Sequence, residues 1–246
     1  MSASGPGDWD QFGPDYDLPP FEGRPSVYLI ASSPRTGSHY LGHLFRACGD
    51  MGAPLEYLHG RHLADWGRRL GAEGPAETLR ALYRRRTSPS GWFGIKAHWA
   101  QVAPLAEDAA VQGVLGVRRW VRIVREDALD QAISLVVAKQ LKSPISFRAA
   151  TGAADYDPAA IRAALARLSR DAAGWDDFFA RRGVTPLRIT YEDLAARPLE
   201  ALNAARAHLG LPPRTTLPDG DWMPARQATA LNARWRARYL EETADG

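Results

Sequence analysis

The 246-residue chain is predicted to be an α/β protein, a central parallel sheet flanked by helices. A short apolar run at residues 27–31 and segments that read as strands at 92–96, 120–124 and 187–189 alternate with stretches of helical periodicity, the order that builds parallel strands joined by crossover helices. Hydrophobic residues make up 45% and charged residues 24%, so the chain can bury a core, and global disorder and collagen-like repeats are excluded. No apolar run approaches the roughly 18 residues needed to cross a bilayer. Residues 1–25 are expected to be a Pro-, Gly- and acid-rich tail and residues 26–246 a single domain.

The tail carries Trp9, Phe12, Tyr16 and Phe21, aromatics that predict packing over the chain's own active site or a partner, although no regular structure is readable in it. The first strand, residues 27–31, enters the small-residue loop Ser32-Ser33-Pro34-Arg35-Thr36-Gly37-Ser38. Leu41, Leu44, Phe45 and Cys48 then recur at helical spacing until Gly49 ends the helix. Residues 51–58 read as a loop, followed by Arg-rich helical stretches near 61–71 and 75–86. The second strand ends on Lys96 and the third on Arg125, which leads into a helix over 127–141. Ile161, Leu165, Leu168, Ala172, Trp175 and Phe179 mark a long amphipathic helix. After the fourth strand, Tyr191-Glu192-Asp193-Leu194 opens a helical region, Leu199, Leu202 and Leu209 form a stripe closed by Gly210, and Leu231, Trp235 and Tyr239 mark a final helix.

Net charge is +3, and the basic residues divide into 28 Arg and only three Lys, at 96, 139 and 142. With 41 alanines that bias reflects a G+C-rich coding sequence, so abundant arginine is no argument for nucleic acid as a partner. Arg84-Arg85-Arg86 reads as a solvated helix end. The one cysteine, Cys48, is expected to be plain core. The first ten residues have neither a basic start nor an apolar stretch, and with that cysteine usage the expected compartment is the cytoplasm, with no membrane association.

In a parallel sheet, ligands sit beyond the carboxyl ends of the strands, where the loop at 32–38, Lys96 and Arg125 all fall. The backbone amides of that loop and the following helix start make an anion site, and Arg35 adds a fixed charge. The loop lacks the Walker pattern and its lysine, which argues against a small-metabolite kinase of the same architecture. Arg125 and Ser134, nine residues apart, form a second candidate anion clamp, with Ser134 sharing a helix face with Asp127 and Gln131. His59 and His62 read as a surface loop pair, and no metal site is expected among the six histidines. An Arg-rich nucleic-acid-binding or adaptor protein is the other alternative, disfavoured by the near-neutral charge.

Together these segments resemble the bacterial trehalose 2-sulfotransferase-like family and, more distantly, cytosolic sulfotransferases. Ser33-Pro34-Arg35-Thr36-Gly37-Ser38, Pro54-Leu55-Glu56-Tyr57 and Phe93-Gly94-Ile95-Lys96-Ala97-His98-Trp99 carry the first part of the resemblance. Arg125-Glu126-Asp127 with Gln131-Ala132-Ile133-Ser134, Tyr191-Glu192-Asp193-Leu194, Leu209-Gly210-Leu211 and Arg226-Gln227-Ala228 with Trp235 complete it in order. The resemblance implies a P-loop-like sulfotransferase fold and transfer of a sulfuryl group from 3′-phosphoadenosine 5′-phosphosulfate (PAPS) to a hydroxyl of a carbohydrate or small secondary metabolite, without a metal. It implies that Ser33, Arg35, Thr36, Gly37, Ser38 and His39 hold the 5′-phosphosulfate, that Arg125 and Ser134 hold the 3′-phosphate, that Tyr191 lines the adenosine pocket and that Arg226 closes over the nucleotide. Arg35 and Lys96 would stabilise the leaving group. Glu56 is favoured as general base with His98 as its orienting or acceptor-binding partner, and the Lys96-x-His98 spacing keeps His98 in competition for the base. His39 stands where relatives carry a hydroxyl and Ala53 where they often carry an acid, so the acceptor contacts are expected to differ. Relatives further imply a homodimer.

Overall fold

Every residue of the first strand after Ser26 is buried, as the centre of a helix-covered parallel sheet requires. This strand, β1 (Ser26–Ser32), lies between β2 (Trp92–His98) and β3 (Arg119–Val124), and β4 (Leu187–Thr190) completes the order β2-β1-β3-β4, all parallel. The computed structural model describes residues 11–141, 154–219 and 230–244. The crossovers are helical: α1 (Ser38–Ala47), α2 (Gly60–Leu70) and α3 (Gly74–Arg86) before β2, then α4 (Trp99–Val102) and α5 (Ala109–Leu115) before β3. Next come α6 (Ala128–Gln140) and α7 (Pro158–Arg182) before β4, and α8 (Tyr191–Ala196), α9 (Pro198–His208) and α10 (Ala230–Ala244) after it.

Period-two alternation along β1 sends Val27, Leu29 and Ala31 to one face and Tyr28 and Ile30 to the other. The first face packs against Leu55, Ile95 and the aromatic block Trp175, Phe178 and Phe179 of α7. The second packs against Leu41, Leu44 and Phe45 of α1 and Leu202 of α9. The stripe read in the sequence of α7 is the one buried: Ile161, Leu168, Trp175 and Phe179 all face inward. The N-terminal half of α7 packs with α6 and α10 in a third cluster around Ile133, Trp235 and Tyr239. Arg236 of α10 adds ion pairs to Asp127 at 2.9 Å and Asp130 at 3.1 Å, fixing α10 against the start of α6.

Some local structure differs from the sequence reading. β2 runs two residues beyond Lys96, so Lys96 and His98 project from the same face. α4 and α5 carry too few turns to show an apolar period, and only the Asp108 cap, accepting from Ala110 N at 2.9 Å and Val111 N at 3.0 Å, marks the second in the sequence. Cys48, at the end of α1, packs against the core but is only partly buried, its Sγ donating to the Leu44 carbonyl. His59 and His62 are partly buried rather than a surface pair, with ring centroids 4.3 Å apart and His62 Nδ1 2.7 Å from Gln11 Nε2.

The arginine run ending α3 is only partly solvated: Arg84 and Arg85 are exposed, whereas Arg86 is 0% exposed. The physical reason is the N-terminal segment, which packs on its own chain. Leu18 N and Phe21 N donate to the Arg85 and Arg84 carbonyls at 2.7 and 3.0 Å, covering the open end of α3. Asp17 Oδ1 meets Arg86 Nε at 2.9 Å, and the Arg86 guanidinium stacks over Trp66 at 5.0 Å. Asp17→Ala would strand a buried cation, and is expected to cost about 3 kcal/mol in urea unfolding. A loss within the ordinary range of surface substitutions would mean that Arg86 is compensated elsewhere.

Candidate active site

The carboxyl ends of all strands open on one edge of the sheet, and the candidate residues collect there. β1 leads into the anion loop, whose chain reversal is built by Arg35 at φ 67° and Gly37 at φ 79°. A Cβ at Gly37 would stand 2.7 Å from Tyr191 Cδ2, so only glycine lets the loop pass this ring. Thr36 Oγ1 donates to the Ser33 carbonyl at 2.9 Å, and Gln131 of α6 donates to the Pro34 carbonyl at 2.6 Å. The loop is therefore braced before α1 begins at Ser38. Ser33, Thr36 and Ser38 are all buried.

Arg35, Arg125, Ser134 and Tyr191 form one group. Arg35 Nε donates to Ser134 Oγ at 3.0 Å. The Arg125 guanidinium lies 4.7 Å over the Tyr191 ring, with Nη2 3.6 Å from Asp130 Oδ2. Arg125 Nε is buried and meets no hydrogen-bond partner among the described residues. Burial and the neighbouring Arg125 charge lower the Arg35 pKa to about 10. Two cations crowded together with an unanswered buried N–H make a place that an anion would stabilise. Ser134 thus stands nearer to Arg35 than the pairing with Arg125 anticipated. Arg226 lies outside the described residues.

A second group centres on Glu56. Leu55 bridges to Ile95, and Lys96 N donates to the Leu55 carbonyl at 3.0 Å, so the loop before α2 runs along the outer edge of β2 and delivers Glu56 beside Lys96. Lys96 Nζ pairs with Glu56 Oε1, and Gln101 Nε2 donates to Oε2 at 2.7 Å. His39 Nε2 and His98 Nε2 approach Oε1 at 3.5 and 3.7 Å. Burial pushes the Glu56 carboxyl up, but Lys96, His39 and His98 together hold it well below the usual carboxylate range. The group is therefore an anion gripped by the Lys96 ammonium and the Gln101 amide. His39, expected beside the 5′-phosphosulfate, faces this acid and stacks on His43 at 6.1 Å. Gln101 and Asp130 are site neighbours that no motif marks, because their contacts depend on register and helix placement; Ser32 and Gln131 lie in the motif segments, but no site role of their own is readable there.

Burial, and then nearby cations or histidines, lowers the pKa of His39 to about 4, of His43 to about 3 and of His98 to about 4. Each is thus harder to protonate in the fold than in the unfolded chain, where histidine titrates near 6.5. Between those values the unfolded state binds more protons, so stability falls as pH drops from about 6.5 towards 4. The expected observation is a Tm that declines over this window, with a shallower slope in His43→Gln. A flat profile would show that these rings are free to protonate in the native protein.

Among the described residues, no group of three or more His, Cys, Asp or Glu is placed to hold a metal ion. Among the same residues no helix is long and apolar enough to cross a membrane.

Fold and site define an α/β protein with a strand–loop–helix anion cradle beside a lysine–carboxylate pair. The family model described as Stf0 sulphotransferase matches residues 27–242, and the chain belongs to that family. It is 26% identical to the trehalose 2-sulfotransferase of Mycolicibacterium smegmatis over 89% of this chain and 96% of the relative. It is 28% identical to the trehalose 2-sulfotransferase of Mycobacterium tuberculosis over 87% and 94% respectively. Among solved structures, the sulfotransferase domain from the curacin biosynthetic pathway aligns over 83% of this chain and 82% of that one, at 17% identity and a TM-score of 0.47.

Proposed function

We propose that this sulfotransferase takes its sulfuryl group from PAPS and passes it in line to a hydroxyl of a carbohydrate or small secondary metabolite, in the cytoplasm. The observation that carries the donor assignment is the pair of crowded guanidiniums, Arg35 and Arg125, with a buried Arg125 N–H left unanswered. A nucleotide with phosphate at both 3′ and 5′ positions supplies two separate anionic ends. The loop with Arg35 suits the 5′ end and Arg125 the 3′ end, with Ser134 within reach of the first and Tyr191 offering a ring face to the base. The donor brings the activated sulfuryl group and the phosphate that leaves it.

Charge builds on the bridging oxygen as the sulfuryl group departs, and Arg35 and Lys96 are the fixed cations available to balance it. Glu56 is the candidate to receive the acceptor's proton, with His98 accepting or orienting at its side. In the resting protein Lys96 is engaged with Glu56. An anionic donor offers Lys96 a competing partner, and a shift of Lys96 towards it would free Oε1 for the acceptor hydroxyl. Support for a carbohydrate acceptor comes from the mycobacterial relatives' names, while Ala53, buried before Pro54, argues for acceptor contacts of its own.

The direct test is incubation of the protein with labelled donor and mixed acceptor pools, reading sulfated products by mass. Absence of any sulfated product would reject the assignment. Donor recognition is checked separately. Adenosine 3′,5′-bisphosphate should raise Tm, by mass action worth about 2.7 kcal/mol at a hundred times Kd, whereas ADP with magnesium should not. Arg125→Ala is expected to weaken adenosine 3′,5′-bisphosphate about tenfold or more, the scale of one charged hydrogen bond. Binding of adenosine 5′-phosphosulfate should change far less. Equal weakening of both would remove Arg125 from the 3′-phosphate.

A further inference from the structure

Ser32 is the last residue of β1, and the sheet register sets it opposite His98, the last residue of β2. Its side chain is wholly enclosed, 0% exposed, so no bulk water reaches the hydroxyl. Ser32 Oγ lies 3.0 Å from the Ala97 carbonyl oxygen and 2.9 Å from His98 Nδ1. A serine hydroxyl has one hydrogen to give, and a carbonyl oxygen can only accept. One arrangement satisfies both contacts. The hydroxyl donates to Ala97, and His98 donates its Nδ1–H to the serine oxygen. In a neutral imidazole the other nitrogen, Nε2, then carries a lone pair.

That nitrogen is the one facing Glu56, 3.7 Å from Oε1, too far for a hydrogen bond and near enough that both atoms border the same space. The opposite tautomer would aim an Nε2–H at the carboxylate, and His98 would then be a donor to Glu56 instead of a second acceptor beside it. Ser32 itself is held from behind: the fully buried Trp175 of α7 donates its indole N–H to the Ser32 carbonyl at 3.0 Å.

We infer that Ser32 is a positioning residue which holds His98 in the Nδ1–H tautomer, keeping His98 Nε2 and Glu56 apart as two proton-accepting groups on the acceptor side of the site. The functional part of this inference rests on the proposed roles of Glu56 and His98, whereas the tautomer is a property of the protein without substrate. His98 stays neutral near pH 7, since burial, outweighing the attraction of Glu56, lowers its pKa to about 4. An acceptor hydroxyl approaching this space therefore meets a carboxylate oxygen and an imidazole lone pair, not a ring N–H competing for its oxygen.

The test is nitrogen-15 NMR of the histidine rings in the full chain near neutral pH, with the His98 signals identified by their loss in His98→Asn. The native ring should show a protonated Nδ1 and an unprotonated Nε2. Ser32→Ala should move the ring towards the Nε2–H form and lower kcat about tenfold at saturating substrates, the scale of one buried hydrogen bond, with affinity for adenosine 3′,5′-bisphosphate unchanged. Ser32→Thr, which keeps a hydroxyl, should restore both the tautomer and most of the turnover. An Nε2–H ring in the native protein would overturn the inference, and so would a Ser32→Ala spectrum identical to the native one. If Ser32→Ala does not fold, the native spectrum alone decides. A native Nδ1–H ring in a protein that sulfates nothing would sustain the tautomer and reject the proposed function, so the two failures are distinguishable.

Discussion

Glu56→Gln should leave the protein folded and able to bind adenosine 3′,5′-bisphosphate, while lowering kcat by about 10²–10⁴, the contribution of a well-placed general base. The substitution preserves the shape of the side chain, and its one amide oxygen can still accept from Lys96, while its NH2 replaces the oxygen that accepts from Gln101 in the native protein. What it removes is the anion proposed to receive the proton. Because Lys96, His39 and His98 hold the carboxyl well below its usual range, Glu56 remains ionised across neutral pH. A base so stabilised is weak, so the proposed reaction requires Lys96 to relax its hold on Glu56. Kinetics at saturating acceptor, set beside His98→Asn, decide the assignment. If His98→Asn is the more damaging of the two with its fold intact, the roles must be exchanged.

Lys96→Ala is expected to lower kcat by about 10²–10³, the scale of losing one preorganised charge-stabilising group, with a smaller change in donor affinity. Lys96 is 1% exposed and comes from a central position of β2, where its backbone is fixed by β1 on one side and the Leu55 bridge on the other. Its backbone is thus held in place, and only the side chain has to move from Glu56 towards the donor. The variant carries a second signature. Removing the charge that most depresses the Glu56 carboxyl must raise its pKa, so the acidic limb of the kcat/KM profile should move to higher pH. Normal turnover with poor donor affinity would show that Lys96 only binds. An unmoved acidic limb would show that Glu56 is not the group titrating there.

Much of the architecture was legible because its signals are local. The apolar run at residues 27–31 and the alternating Leu187-Arg188-Ile189 have the length and pattern of short strands, and the stripe from Ile161 to Phe179 that of one face of a long helix. Strand–helix alternation then implies a parallel sheet, and a parallel sheet places its ligand at the carboxyl ends. The loop at Arg35, Lys96 and Arg125 all fall at those ends. The short helices α4 and α5 carry no such signal because a few turns cannot display a period. The burial of Arg86 carries none because the Asp17 and Trp66 that enclose it are distant in sequence.

By itself, then, the sequence determined the strands, the long helices, the strand-to-helix loop at 32–38 and the residue types that meet at the sheet edge, since these follow from hydrophobic period and turn chemistry over a few neighbouring residues. Only the tertiary structure decided who faces whom. Ser134 lies against Arg35, His39 turns to Glu56, Gln101 takes the second carboxylate oxygen, and Ser32 stands opposite His98. Each of these contacts depends on strand register and helix docking, in which a shift of one residue would turn the side chain to the other face. Register is set by packing summed over the whole core, and no local stretch of sequence carries that information.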